Sequence, residues 1–68
     1  MTSVTERVAL RVKKLRAKRG ISQETLAAKT GLNRLTITRL EAAAHPPNVE
    51  TLDKIARALD VTVAALVR

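Results

Sequence analysis

The sequence predicts an all-α fold, one small domain of five helices, and three observations predict it. Aliphatic residues recur at steps of three and four along separate segments, the spacing that gathers them on one face of a helix. A side chain able to cap a helix stands just before four of these segments, as Ser22, Asn33, Asn48 and Thr62. Glycines and prolines (Gly20, Gly31, Pro46 and Pro47) fall between segments and not inside them.

In chain order, Met1 to Ser3 are expected to fray. The first helix starts near Val4 or Thr5 and stops at Gly20, with Val8, Val12 and Leu15 as its apolar stripe and Val4 extending it. Arg7, Arg11, Lys14 and Lys18 lie on its other faces, so it is strongly basic. After Ile21, a buried link, Ser22 caps a second helix whose inner face is Leu26, Ala27 and Thr30. Gly31 tolerates the left-handed backbone of a sharp reversal, and Asn33 caps a third helix that buries Leu32, Ile37 and Leu40. Three alanines and two prolines follow, so the third helix is expected to run slightly long before a stiff loop. Asn48 opens a fourth helix built on Leu52, Ile55, Ala56 and Leu59, with Val49 packing at its start. Asp60 can adopt a left-handed turn at some cost, and Thr62 caps a short last helix that seats Val63 and Leu66.

Composition narrows the chemistry. The 68 residues fit a single domain over 1–68, 46% of them are hydrophobic, and none is aromatic. The core must therefore be aliphatic and closely packed. Without cysteine there is no disulfide and no thiolate metal site. One histidine and no glycine-rich phosphate loop leave no catalytic constellation, so neither an enzyme nor a cofactor is expected. No apolar run is long enough for a bilayer, and a membrane-surface role for the first helix lacks an aromatic anchor, so a cytoplasmic location is expected.

Charge is distributed unevenly. Of a net +7, residues 1–40 hold ten Lys or Arg against Glu6 and Glu24, a net +8, while 41–68 hold three against four, a net −1. A polyanion partner suits the basic half. That half contains the stretch 23–42, QETLAAKTGLNRLTITRLEA, in which two amphipathic segments meet at Gly31. Arg34, Leu35, Thr38 and Arg39 are left on the outer face of the second segment, a surface suited to the major groove of duplex DNA.

With its small, glycine and aliphatic positions in register, this stretch resembles the helix-turn-helix of the lambda-repressor-like family, which includes the Cro and xenobiotic-response-element proteins. The resemblance extends over about residues 8–67. It implies a DNA-reading third helix in which Arg34, Leu35, Thr38 and Arg39 meet bases. Arg34 has the fork for guanine O6 and N7, and Leu35 an apolar contact for a thymine methyl. Ser22, Gln23, Asn33 and Thr36 are expected at phosphates, Gln23 through its side chain and the amides that open the second helix. Arg16 and Glu41 match a structural ion pair of the family. The family's Asn-Gly-Lys after the glutamate is replaced by Ala42, Ala43 and Ala44, which removes a glycine stop and a basic side chain. His45 is expected to be a lone exposed loop histidine.

The resemblance thus implies a transcriptional regulator, a repressor in the leading reading, bound as a homodimer to a palindromic operator. The dimer contact is expected at Ala64, Ala65 and Val67, apolar residues beyond what the last helix needs for the core. An antitoxin that binds a toxin as well as DNA is an alternative. A nucleic-acid adaptor without sequence preference, using the basic first helix, is a second.

Overall fold

A computed structural model describes residues 2–68. Five helices follow in order: α1 (Val4–Lys18), α2 (Gln23–Thr30), α3 (Arg34–Glu41), α4 (Val49–Ala58) and α5 (Val63–Val67). α1 packs against α3 and α5, α2 against α3 and α4, and α4 closes on α5. Between them Val8, Val12, Leu26, Ile37, Ile55, Leu59 and Leu66 are sealed from solvent. Leu15, Ile21, Leu32 and Val63 pack around this centre. Among the described residues no helix is long and apolar enough to cross a membrane.

Local chemistry starts each helix. The oxygens of Ser22, Asn48 and Thr62 each accept the backbone N–H three residues on, and Asn33 Oδ1 accepts that of Leu35 at 2.8 Å. These bonds satisfy amides that a helix start otherwise leaves bare. Ser3 does the same for α1 and is not frayed. Its Oγ accepts from Glu6 N–H at 3.1 Å, and its own N–H donates to Glu6 Oε1 at 3.2 Å. This reciprocal capping box is written in the sequence as Ser-x-x-Glu. Met1 lies outside the described residues.

Three helices end alike. Beyond α1, α3 and α4 the backbone turns left-handed at Gly20 (φ 65°), Ala43 (φ 56°) and Asp60 (φ 56°). The next N–H then reaches back over the last turn: Ile21 to Arg16 O, Ala44 to Arg39 O and Val61 to Ala56 O, at 3.2, 3.0 and 2.9 Å. This bonding satisfies carbonyls that the helix end leaves free. The left-handed turn expected at Asp60 is present. The longer third helix is not: α3 stops at Glu41, because the bonds gained at Ala43 and Ala44 offset the left-handed cost that an alanine bears.

Other departures concern burial. Val49, expected to pack at the start of α4, is 76% exposed, because the helix turns its Leu52–Ile55–Ala56–Leu59 stripe inward and leaves its first residue outside. Val4 is half exposed, beyond the reach of the core. Ala9 is buried, although it stands next to the apolar stripe and not on it. Val67, expected to be surplus to the core, packs against it beside Val63; Ala64 stays exposed and Ala65 half-buried. Arg7 and Arg11 are not simply a solvated face. Arg7 Nε donates to Val67 O at 3.4 Å and Arg11 Nη1 to Ala65 O at 3.2 Å, so α1 cations hold carbonyls that a helix as short as α5 leaves open.

Candidate nucleic-acid interface

The turn between α2 and α3 sets the geometry. Gly31 adopts φ 74° and ψ 10°, and its N–H donates to Ala27 O at 2.9 Å. The Thr30 hydroxyl lies 2.9 Å from Leu26 O and 3.0 Å from Ala27 O, and accepts the N–H of Leu32 at 3.2 Å. Thr30 thus joins the end of α2 to the first residues of the reversal, a role its place on the inner face did not reveal. Leu32 then tucks against the core, and Asn33 starts α3.

Ile37 and Leu40 anchor α3 from beneath, at 0% and 5% exposure. At 3.6 residues per turn, Arg34, Leu35, Thr38 and Arg39 share an arc of roughly 140° away from that anchor. All four are exposed, and Leu35 shows half its surface to water. Thr36 sits apart. With Arg39, His45 and Asn48 it lines an open cleft of about 240 Å³ between α3 and the start of α4. His45 is exposed there. Ala42, Ala43 and Ala44 bring no charge to this rim.

Glu41 is the buried acid on which the arrangement turns. Its side chain is 3% exposed. The Arg16 guanidinium meets it with two bonds, Nε to Oε2 at 2.8 Å and Nη2 to Oε1 at 2.9 Å, and sends Nη1 to Ile21 O at 3.0 Å. One planar group therefore joins α1, the link to α2 and the end of α3 in the bidentate geometry that makes such pairs strong. Burial alone would push the Glu41 carboxyl up. The bonds from Arg16 and Gln23, with the charges of Arg16 and Lys13, outweigh it and hold the group below its ordinary range. The Arg16 guanidinium is shifted upward, chiefly by its bond to Glu41.

Gln23 extends the network outward, which nothing in the sequence signalled. Its Nε2 donates to Glu41 Oε1 at 3.0 Å, and its Oε1 lies 3.0 Å from the Thr38 hydroxyl. That hydroxyl is also 3.1 Å from Arg34 O, so its one proton serves either acceptor in turn. Two residues read separately, Gln23 for phosphate and Thr38 for bases, are bonded to each other. A connected series Arg16–Glu41–Gln23–Thr38 runs from α1 to the outer surface of α3. Ser22 and Asn33 lie exposed at the two helix starts with their oxygens used as caps.

This is a helix-turn-helix: two short helices reversed at a left-handed glycine, the second fixed from behind and bare in front. A helix-turn-helix family model matches residues 12–66. The chain belongs to the lambda-repressor-like helix-turn-helix family of transcription regulators. It is 39% identical over 56 residues to an uncharacterized HTH-type transcriptional regulator of Archaeoglobus fulgidus, covering 82% of this chain and 80% of that protein. It is 35% identical over 60 residues to the immunity repressor protein of Bacillus phage phi105. That match covers 88% of this chain but only 42% of the repressor. Its fold is similar to that of the restriction-modification controller protein C.AhdI from Aeromonas hydrophila, with TM-score 0.87, 32% identity and coverage of 91% and 94%. The controller C.Esp1396I, seen as a tetramer with its natural 35 base-pair operator, superposes with TM-score 0.86 at 27% identity, covering 97% of this chain and 87% of that one.

Proposed function

We propose that the protein is a sequence-specific, duplex-DNA-binding transcriptional repressor that lays α3 in the major groove as a homodimer on a palindromic operator. The observation that carries this reading is the two-sided character of α3. Its rear is fixed by Ile37, Leu40 and the Arg16–Glu41 fork, while Arg34, Leu35, Thr38 and Arg39 are exposed on the front. Arg34, at the first turn, forks onto guanine O6 and N7. Arg39 reads a second base or a phosphate, Leu35 meets a thymine methyl, and Thr38 adds a contact to a base edge. Phosphates fall to Ser22, Gln23, Asn33 and Thr36, with the α2 amides offering partial positive charge.

One module of this size covers few base pairs. Two copies joined through α5, with Ala64, Ala65 and the outer side of Val67 in contact, would read half-sites about 34 Å apart. Repression follows from occupancy of the promoter, and support for it comes from the likeness to the phage immunity repressor.

Selection of bound sites from a random duplex library tests the reading, first with the native chain and then with Arg34→Ala. A symmetric site is expected, and the variant should lose about 1–3 kcal/mol of preference at one position per half-site while keeping the rest. Affinity that falls equally on every sequence, with scrambled duplex competing as well as the selected site while salt rises, would mark a non-specific polyanion binder and sink the proposal.

A further inference from the structure

We propose that the flank of α1 turned away from α3 is a docking surface for an acidic, amphipathic segment of a partner protein. Arg7, Arg11, Lys14 and Lys18 follow one another at steps of four, three and four, which aligns them as one stripe along α1. Arg16 reaches the other way, into Glu41. Arg11 precedes it by five residues and so lies roughly 140° around the helix. The stripe therefore faces α5, and the bonds from Arg7 and Arg11 to α5 carbonyls place it there directly.

Beside the stripe runs an open groove of about 370 Å³, lined by Arg11, Lys14, Leu15, Val61 and Ala65. Its floor is aliphatic and its rim cationic. Among the described residues no acid forms an ion pair with these rim cations, although Asp60 stands exposed beside Val61 in the chain. Among the described residues the ion pairs are Arg16–Glu41 and Arg57–Asp53, and Glu6 is held in the α1 capping box. Lys14 and Lys18 are exposed without an acidic partner.

The complement of such a surface is a segment carrying carboxylates along one edge and a leucine or valine row beside them. The carboxylates would meet Lys14, Lys18 and the outer N–H groups of Arg11, while the apolar row covers Leu15 and Val61 and leaves Ala65 to the proposed contact between copies. A nucleic-acid backbone matches the charge but brings nothing to bury on that floor. The location also separates the two surfaces: DNA on the front of α3 leaves this flank free. The inference rests on the proposed DNA-binding reading only for its consequence, that one molecule holds operator and acidic partner at once.

The test is an amide-shift titration of the full chain with a synthetic helical peptide that carries glutamates at i, i+4 spacing beside a leucine stripe. A peptide with lysine in place of each glutamate is the control. Shifts should gather at Lys14, Leu15 and Val61 with the acidic peptide alone. Lys14→Glu with Lys18→Glu, both at exposed positions, should weaken that binding about ten-fold or more. No shift at millimolar peptide, shifts gathered on α2 and α3 instead, or unchanged binding by the charge-reversed chain overturns the proposal. So does concentration-dependent shifting of the same amides without peptide, which would assign the groove to a second copy, or their shifting with duplex DNA, which would assign it to nucleic acid. Operator selection with the unaltered chain is read separately, so failure of the DNA-binding reading is distinguishable from failure of this one.

Discussion

Removal of Arg16 tests the energetic centre of the molecule. Arg16→Ala strands the Glu41 carboxylate, 3% exposed, with the Gln23 amide as its remaining side-chain donor. Breaking a buried pair from one side costs about 3–5 kcal/mol, because the surviving charge is left without its counter-ion. A chain of this length has a total stability of roughly 3–10 kcal/mol. Arg16→Ala should therefore bring the fold close to its threshold or past it. Glu41→Ala should cost less, about 2 kcal/mol, because Arg16 keeps its bond to Ile21 O and, at 21% exposure, can be hydrated. Arg16→Met with Glu41→Leu should recover most of the loss. Urea denaturation followed by circular dichroism measures all three. A cost below about 1 kcal/mol for Arg16→Ala, or a larger cost for Glu41→Ala, would refute the assignment of Glu41 as the buried, dependent partner.

The same pair sets an acid limb. In the folded state Glu41 sits below its ordinary value of 4.5, so between the two values the unfolded chain binds more protons. Its contribution is complete above 4.5 and is lost as pH falls through the lowered folded value. The Met–Leu double variant should lack this part of the slope, and a slope identical to that of the native chain would exclude Glu41 as its source.

Two further outcomes follow from the geometry. Ala43→Gly relieves a left-handed alanine (φ 56°) while keeping the bonds from Ala43 and Ala44. It should stabilise by about 1 kcal/mol and raise Tm by about 4–8 °C in a thermal melt; no gain would mean that the turn bears no strain. Gln23→Glu replaces a donor 3.0 Å from Glu41 Oε1 with a like charge, and should destabilise more than Gln23→Ala at neutral pH. The gap should narrow as pH falls, and denaturation curves that keep it constant would place Gln23 away from Glu41.

What the sequence determined by itself is local in origin. Helical periodicity identifies which side of a segment is buried, so the five helices and most of the core from Val8 to Leu66 were legible. Caps act over two or three residues, so Ser22, Asn33, Asn48 and Thr62 declared the helix starts, and Ser3 with Glu6 could have done so. The outward set Arg34, Leu35, Thr38 and Arg39 was legible for the same reason, as what remains once Ile37 and Leu40 face inward. Tertiary structure decided what each polar side chain bonds to. A buried stripe does not say which helix lies opposite it or at what angle, and a long polar side chain has several partners within reach until that is settled. Only packing sent Gln23 to Glu41 and Thr38, Arg7 and Arg11 to the carbonyls of α5, and left Val49 in water. Only packing also let an alanine at position 43 take a turn that its own backbone preference opposes, because the bonds closing α3 there outweigh the local cost.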